Sequence, residues 1–391
     1  MGIPSDKVRV IVKYLGGGFG SKAWSQRISF YAAKLSMVTG RPVRIERTRA
    51  EEFLAHSRRW DCKMHIKMGA KRDGTLTAIY ERALVNVGAA GIETNYYAMQ
   101  IIWHTANLHA CPNIYLEQIG VFTNLQINGP TRSPLNMPGI FALESHMDKM
   151  AEAIGMDPLE FRLKNCRNYA VVGSDAGEVP DASLIESEEE IPYSTKNLDE
   201  CMKLATRAIG WEKRKSYRAA TGAKRRGIGM ASYLTFQGVG LIPYTAYADV
   251  EIRHDGTITL FIGVVDIGGG QATIFPMIAA EELGVNPDDV SVVFGDTKDT
   301  RYGPSCQVSR VTSELGPAVL QAAAEARKRL FEVAAPLLGA RPEDLQSIYG
   351  QIYIKSNPWR SLPLRTVCDK IDPEDPIRGK GARAPNPASP T

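Results

Sequence analysis

Three stretches of this chain set glycine or arginine where a strand-like pattern hands over to a helix-like one. They are Gly16-Gly17-Gly18-Phe19-Gly20, then Arg132 in "GPTRSP", then Gly268-Gly269-Gly270-Gln271. Glycine takes positive φ and lets a ligand approach the backbone closely. A helix start carries unpaired N–H donors and the positive end of the helix dipole, so such turns attract phosphate and other anions. An arginine beside a helix start adds a planar fork for phosphate or another oxygen acceptor. One phosphate-bearing ligand gripped by both glycine clusters accounts for the pattern.

Other chemistries fit less of it. Gly18-x-Gly20-x-x-Ala23, with Glu46 near the end of the next strand, partly matches a dinucleotide fingerprint, so an NAD-dependent dehydrogenase is an alternative. A Walker A loop is not formed, because no glycine directly precedes Lys22 and Ala23 follows it. A strand-to-helix turn with no ligand is the bland alternative. The six cysteines and six histidines are scattered without CxxC, HxxxH or HxH spacing. A zinc or iron-sulfur site built by this chain is therefore not expected, and a metal would arrive inside a cofactor.

These turns need elements to hold them. Residues 8–15 read as a strand, and Ile28, Tyr31, Ala32, Leu35 and Val38 recur at helical spacing until Gly40. "RPVRIERT" reads as a second strand. Residues 62–91 read as a hairpin turning at Asp73-Gly74. Residues 141–155 form an amphipathic helix, and Asp157-Pro158 opens another. The run "RHDGTITLFIGVVDIGGGQ" at 253–271 repeats the logic of "RDGTLTAIYERALVNVGAAG" at 72–91, which indicates an internal duplication. A strand "VSVVFGDT" and an alanine-rich helix from Ser313 to Leu338 complete the second copy, and the tail from Arg378 reads as extended. An acidic stretch at 174–192 and a basic run from Lys213 to Arg226 mark a boundary, giving domains 1–205 and 206–391. The fold class is α+β.

A length of 391 residues suits two or three domains, and a net charge of +4, mixed in sign, calls for no nucleic-acid partner. No apolar run is long enough to span a bilayer. The start "MGIPSDKVRV" lacks a signal-peptide pattern, so a cytoplasmic protein is expected.

The motifs "GGGFGSK", "TR" followed by "GIFALESHMDKMAEAIGMDPLEFR", "DIGGGQAT" with "IAAEELGV", and "GDT" with "SRVTSELGPAV" occur in a telling order. In that order the chain resembles, over nearly its whole length, the large subunits of the xanthine oxidase family, the molybdenum hydroxylases. The resemblance implies internally duplicated molybdopterin-binding domains of the xanthine dehydrogenase type. It also implies a Mo-molybdopterin cofactor, in some members the cytosine dinucleotide form. Carried over, Phe19 and Gly20 would lie beside the metal, Gly18 would also bind the cofactor, and Arg132 would lie on the pterin side. Gly268, Gly269, Gly270 and Gln271 would line the phosphate end, where the family's usual glutamine or threonine within the triplet is here Gly269. Val308, Ser309 and Arg310 would add contacts.

The family hydroxylates an electron-poor carbon with oxygen from water, using a glutamate base. Electrons leave through [2Fe–2S] clusters, usually to FAD. No "GxGE" segment bearing that glutamate occurs, so no catalytic residue is expected in this chain, and Glu144 matches a structural helix. The implied partners are a second molybdopterin-binding fragment with the base, a [2Fe–2S] subunit and an FAD subunit, with large apolar surfaces left for them. A non-catalytic cofactor carrier is a further alternative.

In the substrate pocket, Ala23 stands where xanthine dehydrogenases carry glutamate, Gln100 replaces their arginine, and Pro134 replaces an aromatic residue. Ser133 stands where carbon monoxide dehydrogenase has its copper-binding cysteine. Those two activities are therefore not expected, and an aldehyde or aromatic N-heterocycle is. Trp24, Tyr96, Tyr97, Trp103 and Phe236 serve a substrate funnel or, for most, core packing.

Overall fold

The computed structural model describes residues 2–22, 27–56, 58–89, 101–133, 136–167, 169–170, 191–192, 197–218, 223–224, 226–234, 245–307 and 309–384. They form two compact units, one of residues 19–236 and one of residues 1–18 with 237–389. The boundary expected at 205/206 falls inside the helix Leu198–Ile209 and does not separate them.

In the unit of residues 19–236, helix α1 (Arg27–Thr39) follows its apolar spacing and ends at Gly40, φ +63°. None of its residues is buried, and Phe30, Tyr31 and Val38 are exposed. Residues 41–48 form no strand. A strand must pair its N–H and C=O groups with a neighbour, and no described strand pairs with this segment. The next element is α2 (Arg49–Ala55), opened by a capping box. Glu51 N donates to Thr48 Oγ1 at 3.3 Å, and Thr48 N donates to Glu51 Oε2 at 2.7 Å.

The hairpin of β1 (Cys62–Ala70) and β2 (Leu76–Gly88) turns at Asp73-Gly74 as the alternation predicts. The buried helix α3 (Trp103–Asn107) follows, and β3 (Ile114–Phe122) runs parallel to β2, giving sheet order β1-β2-β3. Helix α4 (Asn136–Ile154) starts five residues before its expected position and buries Ile140, Leu143, Met147 and Ala151. In α5 (Pro158–Lys164), Asp157 caps the first turn by accepting from Leu159 N at 2.8 Å. A two-residue pair, β4 (Tyr169–Ala170) with β5 (Ile191–Pro192), then α6 (Leu198–Ile209) and α7 (Arg214–Arg218) complete the unit.

The other unit repeats this plan. Strands β6 (Ala246–Ile252) and β7 (Ile258–Ile262) form a hairpin, α8 (Gln271–Leu283) follows, and β8 (Val290–Phe294) lies parallel to β7. The long helix α9 (Val311–Leu338) stands where α4 stands in the first copy. Even the turns agree: Thr75 N donates to Asp73 Oδ1 and Thr257 N to Asp255 Oδ1, each at 2.9 Å. The fold is thus α+β and internally duplicated.

A small sheet of β9 (Leu345–Ile348), β10 (Gln351–Ile354) and β11 (Asn357–Pro363) leads through α10 (Leu364–Cys368) to β12 (Ile377–Arg383). Strand β12 pairs with β6, so the expected extended tail is in part an edge strand of the sheet β12-β6-β7-β8. Gly379 and Gly381 conceal its periodicity. A Cβ on Gly381 would lie 1.8 Å from Ala318 O of α9, and one on Gly379 2.0 Å from Ala322 O.

The strand expected at 8–15 is reduced to one bridge, Ile11 to Asp296, in this unit. It docks on the "GDT" segment after β8 through Val12 N to Gly295 O (2.7 Å), Thr297 N to Val10 O (3.1 Å) and the Arg9–Asp296 ion pair (2.5 Å). So short a stretch of partner backbone does not sustain a longer ladder.

Candidate functional site

In the unit of residues 19–236, the first glycine loop meets the arginine loop. Phe19 sits at φ +49° and Ser133 at φ +58°, the left-handed region that costs a non-glycine residue about 1–3 kcal/mol. Arg132 N donates to Phe19 O at 2.5 Å. Gly20 has φ +92°, and a Cβ there would stand 2.9 Å from Pro130 O. The neighbouring loop's backbone therefore requires glycine at this position.

Arg59 fastens the arginine loop, donating from Nη2 to Arg132 O (2.7 Å) and from Nη1 to Ser133 O (3.1 Å). The Tyr233 hydroxyl lies 2.6 Å from Ser133 Oγ. What the loop leaves free is informative. Phe19 is 68% exposed. Arg132 is exposed, and its guanidinium makes no ion pair among the described residues. Thr131 Oγ1 is buried without a hydrogen-bond partner among the described residues.

Behind the loop lies a buried ionic cluster on α4 and α5. Glu144 accepts from Arg162 Nε (2.7 Å), His109 Nε2 (2.8 Å) and Ser232 N (2.7 Å), while Arg162 Nη1 also reaches Asp148 at 2.7 Å. Burial pushes the Glu144 carboxyl up, but the His109 hydrogen bond and the charges of His109 and Arg162 outweigh it and hold it below the usual range. These three bonds tie α4 to α5, to His109 and to Ser232. Glu81, bonded by the Thr105 hydroxyl, has no cation against it among the described residues, and burial pushes it up to about 7.

The second glycine cluster, in the other unit, is arranged differently. Gly268 and Gly270 have φ +95° and +79°. Gly268 N donates to Asp266 Oδ1 (2.8 Å) and Ala272 N to Asp266 Oδ2 (3.1 Å). The carboxylate of Asp266 thus occupies donors expected to await a phosphate, which corrects the picture of an open anion trap at the start of α8. Burial raises Asp266, but these backbone bonds prevail and keep it lower than an ordinary aspartate.

The side chain of Gln271 folds over Gly269, where a Cβ would stand 2.6 Å from its Nε2, and its buried Oε1 has no partner among the described residues. A Cβ on Gly268 would meet nothing within 4 Å. Nearby in sequence, Ser309 is left-handed at φ +54°. Arg310 is fully buried, with Nη2 on Ser305 Oγ (2.8 Å), Glu314 at 3.5 Å and Nη1 without a partner among the described residues. Three of the four left-handed non-glycine residues among those described therefore fall on the expected cofactor loops.

Ala23, Gln100, Pro134 and Val308 lie outside the described residues, as do Trp24, Tyr96, Tyr97 and Phe236. Trp103 is buried in α3 and packs as core. Glu46 sits on the strandless segment 41–48, paired with Arg44 at 2.5 Å. With neither flanking strand formed, the βαβ unit that a dinucleotide fingerprint requires is missing. Arg59 and Tyr233 are not legible in the sequence, because their partners lie 73 to 100 residues away.

A family model described as the molybdopterin cofactor-binding domain matches residues 1–166, and another of the same description matches residues 204–381. A putative xanthine dehydrogenase molybdenum-binding subunit of Escherichia coli is 31% identical over 364 residues, which is 92% of this chain and 46% of the relative. The aldehyde oxidoreductase molybdenum-binding subunit of Escherichia coli is 28% identical over 381 residues, 96% of this chain and 47% of the relative. The crystal structure of quinoline 2-oxidoreductase from Pseudomonas putida 86 matches with a TM-score of 0.76 and 25% identity, covering 98% of this chain and 50% of that one. The chain spans about half the length of the relatives it matches.

Proposed function

This chain belongs to the xanthine oxidase family of molybdenum hydroxylases, and from that premise we propose that it is a molybdopterin-binding part of an enzyme hydroxylating an aldehyde or aromatic N-heterocycle. The two substrate classes are those named for the aldehyde oxidoreductase and quinoline oxidoreductase relatives. The observation that carries the reading is the strained pair Phe19 and Ser133, tied through Arg132 N, with the Arg132 guanidinium exposed and making no ion pair among the described residues.

An anionic pterin rich in hydrogen-bonding atoms fits this donor set. Arg132 and Thr131 Oγ1 would bind its pterin side, and the left-handed Phe19 carries its exposed ring at the same loop. In the other unit, taken by itself, Gln271 Oε1 and Arg310 Nη1 are buried without partners among the described residues, and they are polar atoms it would offer a ligand. Asp266, already filling the start of α8, would keep an anionic end away from Gly268 N and Ala272 N. The bound molybdenum would supply the two-electron oxidation, with oxygen taken from water.

The proton acceptor is proposed to come from outside these 391 residues, on a partner polypeptide, since Glu144 is engaged three times over. Further proposed partners are a [2Fe–2S] chain and an FAD chain, in the cytoplasm, with the cofactor in either its plain or its cytosine dinucleotide form. The exposed apolar residues of α1 and α2, including Phe30, Tyr31, Phe53 and Leu54, support contact with another polypeptide.

The test is metal and pterin analysis of the complex purified with its partners. It should hold molybdenum and pterin together, and Arg132→Ala should lower both by roughly tenfold, with Arg132→Lys in between. Turnover that needs nicotinamide and no molybdenum would overturn the reading.

A further inference from the structure

We infer that Tyr233 is a positioning residue of the candidate cofactor loop: its hydroxyl holds Ser133 in the left-handed conformation that presents Arg132. The inference rests on the reading of Arg132 given above only for its cofactor readout.

A serine at φ +58° is biased against that conformation by roughly five- to hundredfold. Something must hold it there. The backbone is pinned on both sides, by Arg132 N on Phe19 O and by Arg59 on the carbonyls of Arg132 and Ser133. The side chain is pinned by Tyr233, 2.6 Å from Ser133 Oγ.

Tyr233 can act as a strut because its own position is fixed from behind. Its neighbour Ser232 is buried, with its N–H on Glu144 Oε2 and its hydroxyl 3.1 Å from Met202 Sδ. Glu144 is in turn clamped by Arg162 and His109. The Tyr233 ring meets the buried His104 ring edge-on, with centroids 5.7 Å apart. A chain of contacts thus runs from the ionic cluster on α4, through Ser232 and Tyr233, to Ser133 and the peptide that carries Arg132. Support behind a ligand-holding loop fixes its geometry in the way that outer partners orient metal ligands.

Two measurements on the full chain in its complex decide this. Tyr233→Phe keeps the ring and its contact with His104 but removes the hydroxyl. Hydrogen exchange of the Arg132 amide should then speed up by about tenfold, the loss of one net hydrogen bond. Bound pterin and molybdenum should fall several-fold. Glycine takes φ +58° without help. Adding Ser133→Gly to Tyr233→Phe should therefore restore cofactor content, whereas adding Ser133→Ala should not.

Unchanged exchange in Tyr233→Phe overturns the inference, and so does failure of Ser133→Gly to restore the cofactor. A packing role for Tyr233 would not be rescued by glycine at 133. If the wild-type complex holds no pterin, the functional reading falls, while the exchange measurement still decides whether Tyr233 holds the loop.

Discussion

The two repeats share a hairpin with an Asp-Gly turn, a third strand parallel to the second and a long helix, yet they secure their glycine loops by opposite means. The repeat containing α4 has three small apolar clusters and a buried ionic group of Glu144, Arg162 and His109. That group reaches the loop through long-range side chains and, among the described residues, leaves the Arg132 guanidinium without an ion pair. The repeat containing α9 has one large apolar core, where alanines of the helix meet the glycines of β12. Its loop is secured locally, by Asp266 two residues before Gly268. Loop geometry imposed from a distance exposes a cation, whereas geometry supplied within the loop consumes the donors.

The largest expected effect breaks the first arrangement at its root. Arg162→Met removes the guanidinium and leaves Glu144 buried with less compensation, which costs about 3–5 kcal/mol. Denaturant unfolding measures it. The unit carrying Arg132 should melt while the alanine-packed unit holds, and a loss below about 1 kcal/mol would mean that the cluster is not the anchor of its repeat.

The polar interior also predicts a pH dependence confined to that unit. Glu81 has its folded-state pKa raised by burial to about 7, against the ordinary value of 4.5. It stays protonated in the folded protein while the unfolded chain ionises, so stability is lost as pH rises from about 4.5 to about 7. Glu81→Gln should remove that dependence, raising stability at about pH 8 by on the order of 2–3 kcal/mol and leaving stability at about pH 4 nearly unchanged. Thermal midpoints of the two proteins across that range should diverge. Parallel curves would show that Glu81 is not titrating.

Much of the architecture was legible because it is local. Both Asp-Gly turns, the helix ended by Gly40 and the alanine-rich α9 carry their signals within a few residues. The strands expected at 8–15 and 41–48 failed because a strand is a property of two chains, and the described partners do not extend along them. Strand β12 was hidden because its core-facing positions are glycines, chosen by the closeness of α9. Helix α2 is announced by Thr48 and Glu51, a capping box that an apolar pattern alone does not show. At the site, Phe19, Gly20, Arg132 and the glycine triplet stood out by residue type. Arg59 and Tyr233 did not, since arginine and tyrosine are unremarkable until the fold brings Ser133 to them. Asp266 was legible in principle, as an aspartate two residues before a glycine is a common way to close a turn.

Asp266 provides the smallest and sharpest test of the comparison. In Asp266→Asn the side-chain oxygen can still accept from Gly268 N, but the second acceptor facing Ala272 N is lost, at a cost of about 1 kcal/mol. The folded-state pKa of Asp266 is depressed, so its contribution is present above the unfolded pKa and disappears as pH falls through the folded value. The gap between wild type and variant should therefore be full at neutral pH and close in the acid range below the ordinary aspartate pKa. Because this loop is secured by itself, faster amide exchange should be confined to Gly268 through Ala272. Exchange that spreads along α8 into the apolar core would show that the second loop, like the first, is held through the body of its repeat, and the contrast between the two would collapse.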